Sequence, residues 1–160
     1  MIVTFPTAAM LLAIVQAAAP APMTIRDPEL LATQLTEMGY VPQPFAVNGM
    51  GVTTSTILTT GEAKLSLALG GCTLGRNCRY AVLLGSFNDV AKPPAKWVAT
   101  QNAEFDAIEV WVGDDGILSY SAGAIVEGMP RESFKAWVDL VVESSDELAT
   151  EAVKAKLAKD

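Results

Sequence analysis

The two cysteines of the chain, Cys72 and Cys78, enclose the polar loop sequence Thr-Leu-Gly-Arg-Asn. Residues 64–69 before the loop and 79–87 after it are apolar and have the pattern of β-strands. A redox centre favours a C-x-x-C spacing at a helix start, and a zinc site needs four ligands, usually Cys and His. Neither pattern is present, because five residues separate the cysteines and the chain has no histidine. We predict a disulfide that staples a hairpin.

The first 22 residues have the pattern of a secretory leader. An apolar run from Ala8 to Val15 is followed by small residues, and we predict cleavage within residues 17–22. No Lys or Arg precedes the run, so an uncleaved anchor and a start at Met23 are the alternatives. The run is shorter than the ~20 residues that span a bilayer, so we expect no stable membrane anchor after cleavage. The prediction is a periplasmic or secreted domain of residues 23–160.

The charge balance and the missing histidine exclude several functions. The formal net charge is −7, and the 11 Lys and Arg residues form no cluster, so we expect no nucleic-acid binding. Without histidine the chain lacks the commonest general base and metal ligand. It has no S-x-x-K sequence and no phosphate-binding glycine loop. We therefore predict no catalytic residues, no metal site and no cofactor.

Carboxylates are the remaining route to catalysis. Glu62, Asp89, Asp106 and Glu109 are candidates for convergence into an acid–base pair. Some convergence is expected by chance, because the chain has 18 acidic residues. A small periplasmic enzyme that uses carboxylates is the alternative hypothesis.

Periodicity and turn signals predict an α+β fold in which helices pack on an antiparallel sheet. Asp27 caps a first helix that ends at Gly39. A second helix is predicted to begin after Pro93-Pro94, and a third to begin at Pro130. Asp114 to Gly116 predicts a tight turn between two strands. The strand after the cysteine loop is apolar on both sides and is expected to be covered on both faces. The predicted order is helix, antiparallel strands, helix, hairpin and helix.

Two positions are candidates for partner binding. Trp97 and Trp137 lie on apolar helix faces and are predicted to be core residues. Trp111 alternates with apolar neighbours and points to the other sheet face, where it is either a binding hot spot or, under a covering helix, ordinary core. Arg76 lies in the cysteine loop and is the second candidate. Asn102 is predicted to hydrogen-bond to backbone.

A further set of features extends from Cys72 to Trp137. It consists of the Gly71-Cys72 and Asn77-Cys78 pairs, a strand ending at Phe87, Trp97, Asn102, Asp114-Asp-Gly116 and Ile125-Val-Glu-Gly128. In these features the chain resembles the YbjN family, whose members are also labelled bacterial sensory transduction regulators, and the helix of residues 27–39 fits the same family. The resemblance implies an α+β fold similar to type III secretion chaperones and no established catalytic residues.

The predicted function is a non-catalytic periplasmic domain that binds another protein in an accessory or regulatory role. The missing catalytic groups, the leader and the chaperone-like fold support this interpretation. The partner is not identified by the sequence, and a homodimer remains an open alternative.

Overall fold

The computed structural model describes residues 20–60 and 63–158. The described residues form a seven-stranded sheet and three α-helices, with a 3-10 turn at Gly49–Gly51 between the second and third strands. In chain order the elements are α1 (Pro28–Glu37), β1 (Val41–Pro42), β2 (Ala46–Asn48), β3 (Thr53–Thr60), β4 (Ala63–Gly70), β5 (Tyr80–Phe87), α2 (Ala95–Glu104), β6 (Glu109–Val112), β7 (Leu118–Ala124) and α3 (Arg131–Lys154).

The sheet confirms the predicted α+β class. Its strand order is β1-β3-β4-β5-β7-β6, and β2 pairs with β3 beside β1. Every pairing of these strands is antiparallel, as expected for strands joined by short turns. The cysteine loop connects β4 to β5, and β6 and β2 lie at opposite edges of the sheet.

One face of the sheet forms the hydrophobic core. Alternate residues of β3, β4, β5 and β7 are buried, as the period of a β-strand requires. The buried residues of α1 and α3 belong to the same hydrophobic cluster. Phe134 of α3 is fully buried and packs edge-on against Tyr40 and Trp137. The long helix α3 therefore covers this face together with α1.

The opposite face of the sheet is half-buried or exposed along β5. Ala81 and Leu83 of β5 are buried, but Val82 and Leu84 between them are only half-buried. The expectation that this strand is covered on both faces is therefore wrong. An apolar run does not distinguish a strand covered twice from one whose outer face bears apolar side chains in partial contact with solvent.

Helix α1 begins as its sequence predicts and holds the segment before it. The Asp27 side chain accepts hydrogen bonds from the N–H groups of Glu29 and Leu30, which is the N-cap arrangement. The fully buried Met23 and Ile25 precede this cap. Buried Gln34 of α1 accepts a hydrogen bond from the N–H of Thr24 and donates one to the carbonyl oxygen of Pro22. The predicted leader lies outside the described residues, apart from residues 20–22.

Glu127 also holds this N-terminal segment in place, through contacts with residues 24–26. Its carboxylate accepts hydrogen bonds from the N–H of Ile25 and the hydroxyl of Thr24, and it pairs with Arg26 at 3.0 Å. The N–H of Gly128 donates to the carbonyl oxygen of Met23. The N-terminal segment is thus an integral part of the fold.

Asn102 of α2 closes the edge of the sheet at β6. Its side-chain amide donates to the carbonyl oxygen of Val110 and accepts from the Val110 N–H, both at 2.7 Å. The prediction that Asn102 hydrogen-bonds to backbone is confirmed, although the residue itself is exposed rather than buried. The amide takes the place of a neighbouring strand at an otherwise unpaired edge.

We predict that replacing Asn102 by alanine lowers the free energy of unfolding by about 1–2 kcal/mol, because two hydrogen bonds to β6 are lost. Urea unfolding measured by tryptophan fluorescence checks this. Thr100→Ala on the same helix is the control, because the Thr100 hydroxyl only bonds back to the Lys96 carbonyl at an exposed position. Equal stability of the two variants would contradict the role assigned to Asn102.

Candidate functional site

The predicted disulfide between Cys72 and Cys78 is present, with an S–S distance of 2.06 Å. It closes the loop between β4 and β5, and Cys78 is buried against the core cluster. Within the loop, Thr73 and Arg76 exchange backbone hydrogen bonds of 2.7 and 3.0 Å. The disulfide therefore fixes a compact loop at one end of the sheet.

The disulfide loop packs against the turn between β2 and β3. The N–H of Cys72 donates to the carbonyl oxygen of Val52, and the N–H of Gly75 donates to that of Gly51. The contact is so close that a Cβ atom on Gly51 would lie 2.7 Å from the Cα of Leu74. A Cβ on Gly75 would meet Val47 at the same distance, 2.7 Å. Only glycine fits at these two positions.

Large apolar side chains project from these two packed segments into solvent. Met50 is 98% exposed and Leu74 is 84% exposed. Both residues have a left-handed backbone, with φ of 55° and 51°. This conformation is unfavourable for residues that carry a Cβ, so the surrounding contacts must hold it. We call this surface the apolar tip, and its exposed members are Val47, Met50, Val52 and Leu74.

An apolar groove of about 340 Å³ runs from the tip to α1. One wall is formed by Pro28 and Ala32 of α1, and the other by Pro44, Phe45, Val47 and Leu74. Thr54, which is fully buried, also lines the groove. Its size corresponds to one or two side chains, so the groove extends the exposed apolar surface into a depression.

Arg76 lies at the rim of the groove and connects the disulfide loop to α1. Its guanidinium group pairs with Asp27 at 3.0 Å and with Glu29 at 3.1 Å. The pKa of Asp27 is lowered, chiefly because the Glu29 N–H donates to its carboxylate, and Arg76 acts in the same direction. The carboxylate therefore stays charged at neutral pH, and Arg76 has a positioning role within the chain in addition to its predicted role in partner binding.

Trp111 lies far from the tip in the sheet order. It is half-buried on β6, directly opposite Ser119 of β7, and on the sheet face that points away from the core. Strand β6 and the β2–β3 turn are at opposite edges of the sheet. The structure thus places the two predicted binding residues, Trp111 and Arg76, on separate surfaces.

The carboxylates predicted for an acid–base pair do not line an acidic groove that is present among the described residues. That groove, about 760 Å³ in volume, lies along α3. Glu62 falls outside the described residues, and Asp89, Asp106 and Glu109 are absent from the lining. The carboxylates that do line it are Glu104, Asp139, Glu143, Asp146, Glu147 and Glu151. Most of these side chains are exposed, as on the solvated face of a surface helix.

Within residues 20–60 and 63–158, no cluster of three or more His, Cys, Asp or Glu side chains is arranged to hold a metal ion. No helix in the same ranges is long and apolar enough to cross a membrane. No protein-family model, curated protein or solved structure matches the chain. The resemblance to the YbjN family therefore remains a prediction.

Sequence reasoning missed the apolar members of the tip. A signal was present, since Met50 stands between two glycines and Leu74 stands within the polar cysteine loop. Residues in such turns seldom reach a core, so an apolar side chain there is expected to face solvent. What the sequence does not reveal is that the two turns lie side by side.

We predict that Leu74→Asn leaves the free energy of unfolding unchanged or raises it slightly, because asparagine tolerates the left-handed backbone. Leu74→Val should lower it by about 1 kcal/mol, since a β-branched side chain is strongly disfavoured there. Little burial changes in either variant, because Leu74 is 84% exposed. Thermal or urea unfolding provides the comparison. If valine is tolerated as well as asparagine, the loop does not hold Leu74 in the left-handed region.

Proposed function

We propose that the chain is a non-catalytic protein-binding domain with an accessory or regulatory role, and that the apolar tip is its binding surface. The observation that carries this proposal is the adjacent exposure of Met50 and Leu74, held by strained backbone at the two packed turns. Exposed apolar patches on folded domains are typical of interaction sites. Backbone strain retained at one place supports a functional reason for it.

Rigidity of the tip supports the same proposal. A binding surface that is already ordered loses less conformational entropy when a partner docks. The disulfide, the hydrogen bonds between the turns and the Arg76 ion pairs all restrict the tip. The adjoining groove is suited to receive an apolar side chain of the partner, which is how interface anchors commonly bind.

The proposed location is the bacterial periplasm or the exterior. A disulfide is stable in oxidising compartments, and the apolar run near the N-terminus has the pattern of a leader. The resemblance to the YbjN family, with its fold similar to secretion chaperones, agrees with a protein-binding role. The fold alone is a weak guide to function, so the proposal rests on the tip.

The test is affinity capture from an extract of the producing cells, with residues 20–160 as bait. The double variant Met50→Asn/Leu74→Asn removes both apolar side chains at positions where asparagine fits the backbone. Ile125→Asn is the matched control, because Ile125 is 77% exposed but lies outside the tip. We expect a protein that is captured by the wild type and by the control, and at least about tenfold less by the double variant, as for hot-spot residues. Equal capture by all three baits would refute the proposal that the apolar tip is the binding surface.

Trp111→Ala provides a second arm of the same assay. If Trp111 is a hot spot, Trp111→Ala should weaken the free energy of binding by about 2 kcal/mol. It should lower the free energy of unfolding by less than the ~3–5 kcal/mol expected for Trp137→Ala. The structure supports the smaller stability loss, since Trp137 packs on Phe134 at 5.6 Å, whereas Trp111 lies on the outer face. If capture depends on Trp111 and not on Met50 and Leu74, the binding surface is the outer sheet face rather than the apolar tip.

Within the predicted cleavage range of residues 17–22, the contacts of residues 21 and 22 favour the earlier sites, so we expect the exported protein to begin between residues 18 and 21. The side chain of Arg131 donates to the carbonyl oxygen of Ala21 at 3.0 Å, and Gln34 donates to that of Pro22 at 2.7 Å. Removal of Ala21 would break the first of these bonds next to the buried Met23. Intact-mass measurement of the exported protein checks the prediction. A protein that retains Met1, or one that begins at Met23, would contradict it.

A further inference from the structure

Asn48 stands at the start of the turn that carries Met50, and it is followed by Gly49. It is exposed and lies at the end of β2, where it pairs with Thr53 of β3. The other asparagines of the chain, Asn77, Asn88 and Asn102, are followed by residues that carry a Cβ. This difference matters because an asparagine amide is open to attack by the backbone nitrogen of the next residue, and a Cβ on that residue obstructs the approach.

We propose that Asn48 is a site of spontaneous deamidation in the folded protein, and that this modification alters the apolar tip. The Asn48 side chain is held weakly, since its amide nitrogen donates a long hydrogen bond, of 3.4 Å, to the hydroxyl of half-buried Ser55. Gly49 itself is exposed, and its backbone is left-handed with a φ of 57°. Asn102 is the opposite case, because both polar atoms of its side chain bond to Val110 at 2.7 Å.

The reaction is a cyclisation followed by hydrolysis. The Gly49 nitrogen attacks Cγ of Asn48 and a new C–N bond forms. The bond from Cγ to Nδ2 breaks, and the side-chain nitrogen leaves as ammonia, with the proton lost by the Gly49 nitrogen. Water then opens the resulting succinimide ring at one of its two carbonyl carbons. The product is aspartate or isoaspartate, and the overall change consumes one water and releases one ammonia.

Both products affect the tip. Either product adds one negative charge beside Met50. Isoaspartate also inserts an extra carbon into the backbone where Asn48 pairs with Thr53. The turn that follows is held to the disulfide loop by the hydrogen bonds of Cys72 to Val52 and of Gly75 to Gly51. A longer backbone at Asn48 shifts one side of this contact, so deamidation would act as a slow, irreversible change in the proposed binding surface.

The test is incubation of folded residues 20–160 at mildly alkaline pH, followed by peptide mass mapping and an isoaspartate assay. We expect the mass increase of amide-to-acid conversion in the Asn48 peptide about ten times faster than in the Asn102 peptide. Gly49→Ala should slow the reaction at Asn48 by a similar factor. Its new Cβ clashes with no atom, since the nearest is the Thr53 hydroxyl at 3.8 Å, but the φ of +57° strains an alanine. Urea unfolding of the variant therefore first checks that it is folded under the incubation conditions.

Two outcomes would overturn the proposal. One is an intact Asn48 in the folded protein under conditions in which the urea-unfolded chain is converted. The other is an unchanged rate in Gly49→Ala. The modification is measured without any partner, so its failure is distinct from failure of the proposed function. Asn48→Asp in the capture assay then measures the effect of the added charge alone, and incubated wild type measures the effect of isoaspartate.

Discussion

The burial of a single sheet face against α1 and α3 is the constraint on which the rest of the structure depends. This face brings the leucines of β3, β4 and β5 together with Phe134, Val138 and Val141 of α3. Residues 49–52 contribute nothing to this cluster, and the cysteine loop contributes only its two cysteines. The other apolar residues of these two segments gain little from folding, so their exposure is not explained by the core. Met50 and Leu74 are such residues. They differ from the apolar residues on the outer face of the sheet, which are half-buried by their neighbours on the strands.

The disulfide is more than a staple for one hairpin, because the loop it closes supports a second turn. Each of these two short loops contains left-handed residues and few internal backbone hydrogen bonds, so neither is strongly held by itself. Packed on each other, they share the bonds of Cys72 and Gly75, while Arg76 ties them to the N-terminus of α1. The exposed ion pairs contribute little free energy by themselves. Their effect is geometric, since they limit the directions in which the tip can move.

The sequence predicts those features that depend on neighbours in the chain. The Asp27 cap, the turn at Asp114 to Gly116, the disulfide and the antiparallel sheet follow from local signals or from short connections. The sequence does not determine the length of α3, because Ser144 and Glu147 have the spacing of a capping box at a helix start, whereas the structure has one continuous helix from Arg131 to Lys154. The tip was not predicted, because it requires the contact of Gly51 with Leu74, residues that are distant in the chain and carry no pattern that pairs them.

The two edges of the sheet bear on the proposed binding role, because both disfavour pairing with an added strand. At β6, the amide of Asn102 already occupies both polar groups of Val110. At the other edge, β1 and β2 are only two and three residues long and are interrupted by Pro42 and Pro44. Short edge strands and prolines are means by which proteins avoid pairing with other chains. For the proposed binding role, the strand edges therefore offer a partner few free backbone groups, which favours the exposed side chains of the apolar tip as the contact surface.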